Sequence, residues 1–404
     1  MRGLVYTLSI PKYLFTHFIN KGKKKRIFYP MSCLSYKNVP EPELPGTEWI
    51  KIKTSYSGIC GSDISALIAK QSFALEHYSS FPGVMGHENI GVVVETGSGV
   101  THVKKGDRVY VDPVLGCEAK GLELCPECRD GRFAVCRNAP KASDTTGKGC
   151  ITGYNTRTSG GWGEYFVAHR SQVFPIPDSV TDEQAVLVDS IASALQPVAT
   201  HFPKESDTVV VYGCGIIGIN TIACLRALGF KGKILAIYRY PFQGEIAREK
   251  GADIIIRSNV INEVSRITGA EVSENSVGKP SVEGGVDIIF DTIGNAGVID
   301  TSLRLLRANG KYVMIAASGV LGDIDFTPVW FREITIVGSS MYSYCTWNGK
   351  KWRTYELAME LIRSGLYNPE KLVTHVFSIE DYKKAINLVL AKSKENNMKV
   401  VFKY

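Results

Sequence analysis

The run Thr208-Val209-Val210-Val211-Tyr212, followed at once by Gly213-Cys214-Gly215-Ile216-Ile217-Gly218, constrains this chain more than any other feature. An unbroken apolar run of strand length, rich in β-branched residues, suits a strand buried on both faces. A G-x-G-x-x-G that closes such a strand and opens a helix is a dinucleotide fingerprint. Gly213 permits the tight turn, Gly215 lets a pyrophosphate approach the backbone, and Gly218 lets the helix pack closely on the strand. Ile216 and Ile217 open a helix whose N-terminus offers N–H donors and a partial positive charge to phosphates. A Gly-rich turn without a ligand is the bland alternative, and the strand-turn-helix context weighs against it.

The alternation continues downstream. Strands are predicted over 233–238, 286–290, 310–316 and 334–337, with helices over 182–199, 217–228 and 244–250. Strand-helix alternation of this kind implies an α/β fold with a doubly wound parallel sheet. The texture before about residue 180 differs. Short β-like runs over 49–53, 91–95 and 107–111 are separated by turn signals such as Gly97-Ser98-Gly99 and Lys105-Gly106-Asp107, which predicts a small, irregular β-barrel-like domain. A first strand is expected over 4–10 with a long connection behind it, and the polar stretch 272–283 reads as a loop insertion. The tail from Tyr355 returns to helix, a strand over 373–377, helix, and a closing strand over 399–402. A chain of 404 residues is long enough for two such cores.

Chemistry concentrates in the first domain. Gly86-His87-Glu88 comes shortly after Gly58-Ile59-Cys60-Gly61-Ser62-Asp63. A thiolate, an imidazole and a carboxylate are the ligand types of a catalytic zinc, which keeps one position open for water or substrate. Each residue alone would pass as core packing; three together, set between glycines, do not. Four further cysteines, Cys117, Cys125, Cys128 and Cys136, cluster with metal-like spacing.

At the end of the second predicted strand an NAD site wants a carboxylate for the ribose hydroxyls. Tyr238 stands there with Arg239 beside it. No acid repels a 2′-phosphate and a guanidinium is available to bind one, so NADP(H) is favoured over NAD(H). Arg239 stacked on adenine, with either cofactor accepted, is the competing reading.

Taken together, these motifs resemble the zinc-dependent medium-chain dehydrogenases, the alcohol, sorbitol and threonine dehydrogenase superfamily, over nearly the whole chain. Gly86-His87-Glu88-x-x-Gly91-x5-Gly97-x-x-Val100 matches the zinc-dehydrogenase signature, and Gly160-Gly161-Trp162-Gly163-Glu164-Tyr165 is similar to the family's Gly-Gly-x-x-Glu-Tyr. The resemblance implies a GroES-like catalytic domain (1–185), a Rossmann domain (186–345) and a C-terminal segment (346–404) that completes the catalytic domain. It implies Cys60 and His87 as catalytic zinc ligands, and Glu88 as a ligand or an exchanging neighbour. Asp189 falls where relatives carry Glu or Cys, one methylene short of a Glu. Asp63 is expected to hold the second imidazole nitrogen of His87, and Ser62 to contact the substrate hydroxyl.

Three departures stand out. The chain between Tyr6 and Val39 is longer than usual. In the structural-zinc lobe, Leu122 stands where the first cysteine belongs, so Cys117 or an acid such as Glu123 would have to complete the set with Cys125, Cys128 and Cys136. The acidic nucleotide residue is replaced by Tyr238.

The motifs and the resemblance together imply an oxidoreductase that moves hydride between an alcohol, such as a secondary alcohol, polyol or amino alcohol, and NAD(P), with one catalytic and one structural zinc. A zinc-free NADPH reductase of the quinone or enoyl type, and a non-catalytic NADP(H)-binding protein, are the alternatives; neither needs Cys60, His87 and Glu88 together. Trp162, His77, Phe73 and Trp330 are candidates for the substrate pocket, each equally suited to core or surface. A homo-oligomer, dimer or tetramer, is implied by the resemblance. Ten cysteines without a disulfide-scaffold pattern suit a reducing, cytoplasmic compartment. The net charge of +7 includes five charges from the run Lys21 to Arg26, read as a solvated loop because no nucleic-acid fold surrounds it. The run 209–230 contains Asn220 and Arg226 and is not a membrane span, so neither nucleic acid nor membrane is expected as a partner.

Overall fold

The computed structural model describes residues 1–22, 25–317, 319–391 and 395–404. The chain forms two compact units, one made of 1–189 with 362–404 and the other of 190–361.

The second unit is built on a six-stranded sheet. Its strands, from one edge to the other, are Ile254–Ile256, Lys233–Ile237, Thr208–Tyr212, Val286–Asp291, Leu306–Met314 and Thr335–Gly338. Every pair is parallel. Numbered by sequence within the sheet, the order is 3-2-1-4-5-6, that of the dinucleotide-binding fold. Val209, Val210 and Val211 are fully buried, as an apolar run covered on both faces requires. The helix Ile216–Ala227 follows the glycine turn and is buried over most of its length. The expected loop at 272–283 contains a two-stranded hairpin, Glu271–Ser273 with Ser281–Glu283; a connection of turn-forming composition joins strands too short to show in a hydropathy pattern.

The first unit carries a sheet ordered Val373–Ser378, Lys399–Lys403, Trp49–Gly58, Asn89–Thr96, Arg108–Val111 and Val173–Pro175, with Tyr165–His169 also paired to Trp49–Gly58. The closing strand pairs antiparallel with Trp49–Gly58, through Val401 and Gly58. That pairing brings the chain's last residues against the strand that leads into Cys60. A three-stranded sheet, Leu34–Asn38, Arg2–Tyr6 and Gly83–Val84, packs its apolar side chains with Trp162 and Phe402 in one core.

The expected first strand over 4–10 stops at Tyr6, and Ile10–Ile19 is a helix. Pro11 is the physical reason: it occupies the first turn, where its fixed φ suits a helix and its missing N–H costs nothing. Lys23 and Lys24, inside the basic run read as a solvated loop, lie outside the described residues; Lys21 and Arg26 are exposed. Among the described residues no helix is long and apolar enough to cross a membrane.

Candidate active site

Cys60 ends the turn that leaves the strand Trp49–Gly58 and caps the helix Gly61–Leu67. Asp63 sits at the third helical position, and its Oδ2 accepts a hydrogen bond from the Cys60 N–H at 2.9 Å. The capping arrangement therefore fixes the backbone that carries the thiol. His87 and Glu88 lie just before the strand Asn89–Thr96. Gly86 has φ +94°, and any Cβ there would collide with the indole of Trp162, so both conformation and space demand glycine. Trp162, a pocket candidate from sequence, is core: it is fully buried and its Nε1 donates to Gly58 O at 3.2 Å. Gly58 likewise leaves room for the Glu88 carboxylate.

One ligand atom from each of Cys60, His87 and Glu88 falls within 4.8 Å of the others. His87 and Glu88 are buried and Cys60 half-buried. Asp63, wholly buried, presents Oδ1 to His87 Nδ1 at 3.4 Å, a contact at ion-pair distance but outside hydrogen-bond alignment. Burial lowers the His87 pKa, but the charges of Asp63 and Cys60 more than offset it, and the net direction is upward. A site whose field draws a proton onto a buried imidazole is a site that favours a cation. The donor types and their spacing therefore fit a zinc ion.

Two residues of this site were not found from sequence. Tyr154 donates its hydroxyl to Asp63 Oδ1 at 2.8 Å and also interacts with the Ser62 side chain. Burial, then the Asp63 charge, pushes its pKa well above 10, so the phenol remains a donor. Lys399 is buried and forms an ion pair with Glu88 Oε2, likewise buried. Burial opposes its charge, yet Glu88, Cys60 and Asp189 together raise its pKa. Neither residue sits in a motif; only the pairing of the closing strand could have pointed to Lys399. Asp189 is buried in the first turn of Val188–Thr200 and lies outside the three-ligand cluster. Ser62 is exposed.

The four lobe cysteines form a second cluster, again with ligand atoms within 4.8 Å of one another. Cys117 Sγ lies 3.5 Å from Cys136 Sγ, and accepts from the Cys125 N–H at 3.4 Å and from Asn138 Nδ2 at 3.3 Å. Burial raises the Cys125 pKa, but N–H donors from Cys128 and Arg137 bring it down to about 7. Burial instead pushes the Cys136 thiol up to about 11 and raises Cys128 as well, so Cys125 is the one sulfur of these three whose pKa its surroundings lower. Leu122 packs against this cluster as an apolar neighbour, and Glu123 is exposed and outside it.

In the nucleotide unit, Gly213 has φ +98°. A Cβ on Gly218 would overlap the Gly213 carbonyl oxygen, whereas one on Gly215 would meet nothing within 4 Å. Open space over the middle glycine, at the head of the helix that Ile216 and Ile217 begin, is where a pyrophosphate fits. Tyr238 follows the strand Lys233–Ile237 and covers Gly244. Arg239 is exposed, its guanidinium 5.4 Å from the Tyr240 ring centroid.

Two family models match the chain: an alcohol dehydrogenase GroES-like domain over residues 46–178 and a zinc-binding dehydrogenase domain over 217–364. D-xylulose reductase A of Aspergillus oryzae is 27% identical over 364 residues, covering 89% of this chain and 91% of its own. Sorbitol dehydrogenase of Bacillus subtilis is 25% identical, covering 93% and 96%. The solved structure of a Sinorhizobium meliloti 1021 protein bound to NADP is 26% identical with a TM-score of 0.71, covering 92% and 96%. The chain belongs to the zinc-dependent medium-chain dehydrogenase superfamily. Within it, the protein is an oxidoreductase of the alcohol dehydrogenase type, built from a GroES-like and a zinc-binding dehydrogenase domain.

The Asp63 arrangement yields a prediction. Tyr154→Phe removes a donor from a buried carboxylate and lowers stability by about 1–3 kcal/mol, read as a shifted urea midpoint at constant slope. An unchanged midpoint would show that Asp63 is held without Tyr154.

Proposed function

We propose that this protein oxidises a polyol or other secondary alcohol to its ketone with NADP⁺, with catalytic zinc held by Cys60, His87 and Glu88. The observation that carries the reading is the convergence of those three ligand atoms beside the buried Asp63. Zinc so held supplies Lewis acidity, which brings the pKa of an alcohol toward neutrality. The chain's own residues do the rest. Ser62, exposed at the head of the helix that Cys60 caps, takes the substrate hydroxyl proton and releases it outward. The substrate's C–H bond then breaks with its electron pair passing to the nicotinamide, and the carbonyl forms. Asp63 orients His87 and holds the Cys60 backbone. Lys399 balances Glu88, which leaves that carboxylate a charge partner whether or not it coordinates. Asp189 adds negative charge near Lys399 rather than a direct ligand. The polar character of Ser62 and Glu88 supports polyols, as do relatives named for xylulose and sorbitol.

A second, structural zinc in Cys117, Cys125, Cys128 and Cys136 is supported by their clustering, with Cys117 in place of the residue at Leu122. NADP(H) is supported by Tyr238 and Arg239 and by the NADP in the S. meliloti relative. Homodimers or larger oligomers are supported by the strand Thr335–Gly338, an edge with no described strand beyond it, which carries exposed Ile336 and follows exposed Trp330 and Phe331.

Three outcomes are expected. Cys60→Ser abolishes turnover in an alcohol and ketone screen while nucleotide still quenches protein fluorescence with unchanged affinity; full activity would sink the zinc mechanism. Arg239→Ala weakens NADPH by roughly tenfold and leaves NADH within about twofold; equal losses would assign Arg239 to adenine stacking. Sedimentation equilibrium gives a multiple of the chain mass for the native protein and a smaller one for Ile336→Lys; a native monomer would remove the edge-strand assembly.

A further inference from the structure

The long connection between Tyr6 and Val39 is the part of the chain that the dehydrogenase reading does not use. Its helix, Ile10–Ile19, is anchored on one side only. Thr16 is buried, the Tyr13 hydroxyl donates to Ala69 O at 3.5 Å, and His17 Nδ1 lies 3.0 Å from the same oxygen. On the outward side Ile10, Leu14 and Phe18 succeed one another at i, i+4 and i+8 and are 70%, 59% and 70% exposed. That spacing makes a continuous apolar stripe. The stripe is broadened by neighbours. Phe73 is exposed and packs its ring on Tyr13 at 5.6 Å, and Phe28 is exposed against Phe15 at 5.9 Å.

Cations border this surface. The Lys21 ammonium lies 5.9 Å from the Phe18 ring centroid, Lys70 stands beside Lys25, and Arg26 is exposed. Lys23 and Lys24 belong to the same run in sequence. The chain before Glu41 holds eight Lys and Arg and no Asp or Glu, more positive charge than the whole protein's net +7. Glu76 is the one acid between Ala69 and Ser80.

We propose that this helix, with Lys21, Arg26 and Lys70 beside it, docks the protein on an anionic lipid surface, with Ile10, Leu14 and Phe18 entering the headgroup–acyl boundary. An exposed apolar helix face beside a cationic run is the composition of an interfacial anchor, and the charge complements acidic headgroups. The alternatives fit less well. A second copy seated on the same patch would bring two cationic runs together. A polynucleotide would use the cations but leave Ile10 and Leu14 in water. The absence of a spanning helix among the described residues is no objection, because such a segment lies on the bilayer rather than through it. The expectation of a merely solvated basic loop missed the stripe because Pro11 hid the helix.

Flotation of the full chain with phosphatidylcholine vesicles, with and without phosphatidylglycerol, tests this. Binding is expected only to the anionic vesicles, weakened on the order of tenfold or more by high salt and by Lys21→Glu with Arg26→Glu. The triple variant Ile10→Ser, Leu14→Ser, Phe18→Ser loses vesicle binding while its unfolding midpoint and nucleotide affinity hold, because these side chains face solvent. Absent binding, or equal binding by the triple variant, overturns the proposal. So does a lower oligomeric mass of that variant, which would assign the stripe to a second copy, or binding of duplex DNA without vesicles.

Discussion

The Asp63 carboxylate is the constraint on which the catalytic unit's chemistry rests. It is wholly buried, and such a charge is tolerated only when its oxygens are occupied. Here one oxygen takes the Cys60 N–H, and the other takes the Tyr154 hydroxyl and faces His87. A single side chain thus sets the backbone of one proposed ligand, lies against the ring of another, and holds the Tyr154 phenol. The capping role also explains why thiol and hydroxyl lie so close in sequence: Cys60, Ser62 and Asp63 are one turn of a helix and its cap.

A second buried charge, Lys399, ties the end of the chain to this centre. Its pairing with Glu88 depends on the antiparallel register of Lys399–Lys403 against Trp49–Gly58. Removing one partner of a buried pair typically costs about 3–5 kcal/mol, because the other charge is left uncompensated. The C-terminal strand is therefore as much a part of the site as the glycine-flanked His87. The lobe cysteines obey a different logic: a backbone N–H and Asn138 donate to Cys117 and N–H donors lower the Cys125 pKa, while burial holds Cys128 and Cys136 toward the thiol.

Much of this was legible in the residues. The apolar strand and G-x-G-x-x-G locate the nucleotide fold because buried parallel strands and tight phosphate turns leave strong local signals. That Cys60, His87 and Glu88 come together was legible because their residue types are those of a zinc site and glycines at 58, 61 and 86 punctuate them; at 58 and 86 a side chain would collide with its surroundings. Tyr154 and Lys399 were not, since each acts across a long loop or a strand pairing that no spacing encodes. Cys117 stood apart from the family spacing, yet the extra residues close a loop without disturbing the cluster; tetrahedral geometry constrains ligand atoms, not loop length. The helix Ile10–Ile19 was hidden by Pro11, which interrupts an apolar run read as a strand but opens a helix well.

Zinc content of the purified chain, with X-ray absorption at the zinc edge, tests the central claim most directly. Two equivalents per chain are predicted, one with four sulfur neighbours and one with mixed sulfur, nitrogen and oxygen neighbours, and Cys60→Ser should lose only the second. A chain that retains no zinc, or only the four-sulfur ion, would contradict a catalytic zinc held by Cys60, His87 and Glu88.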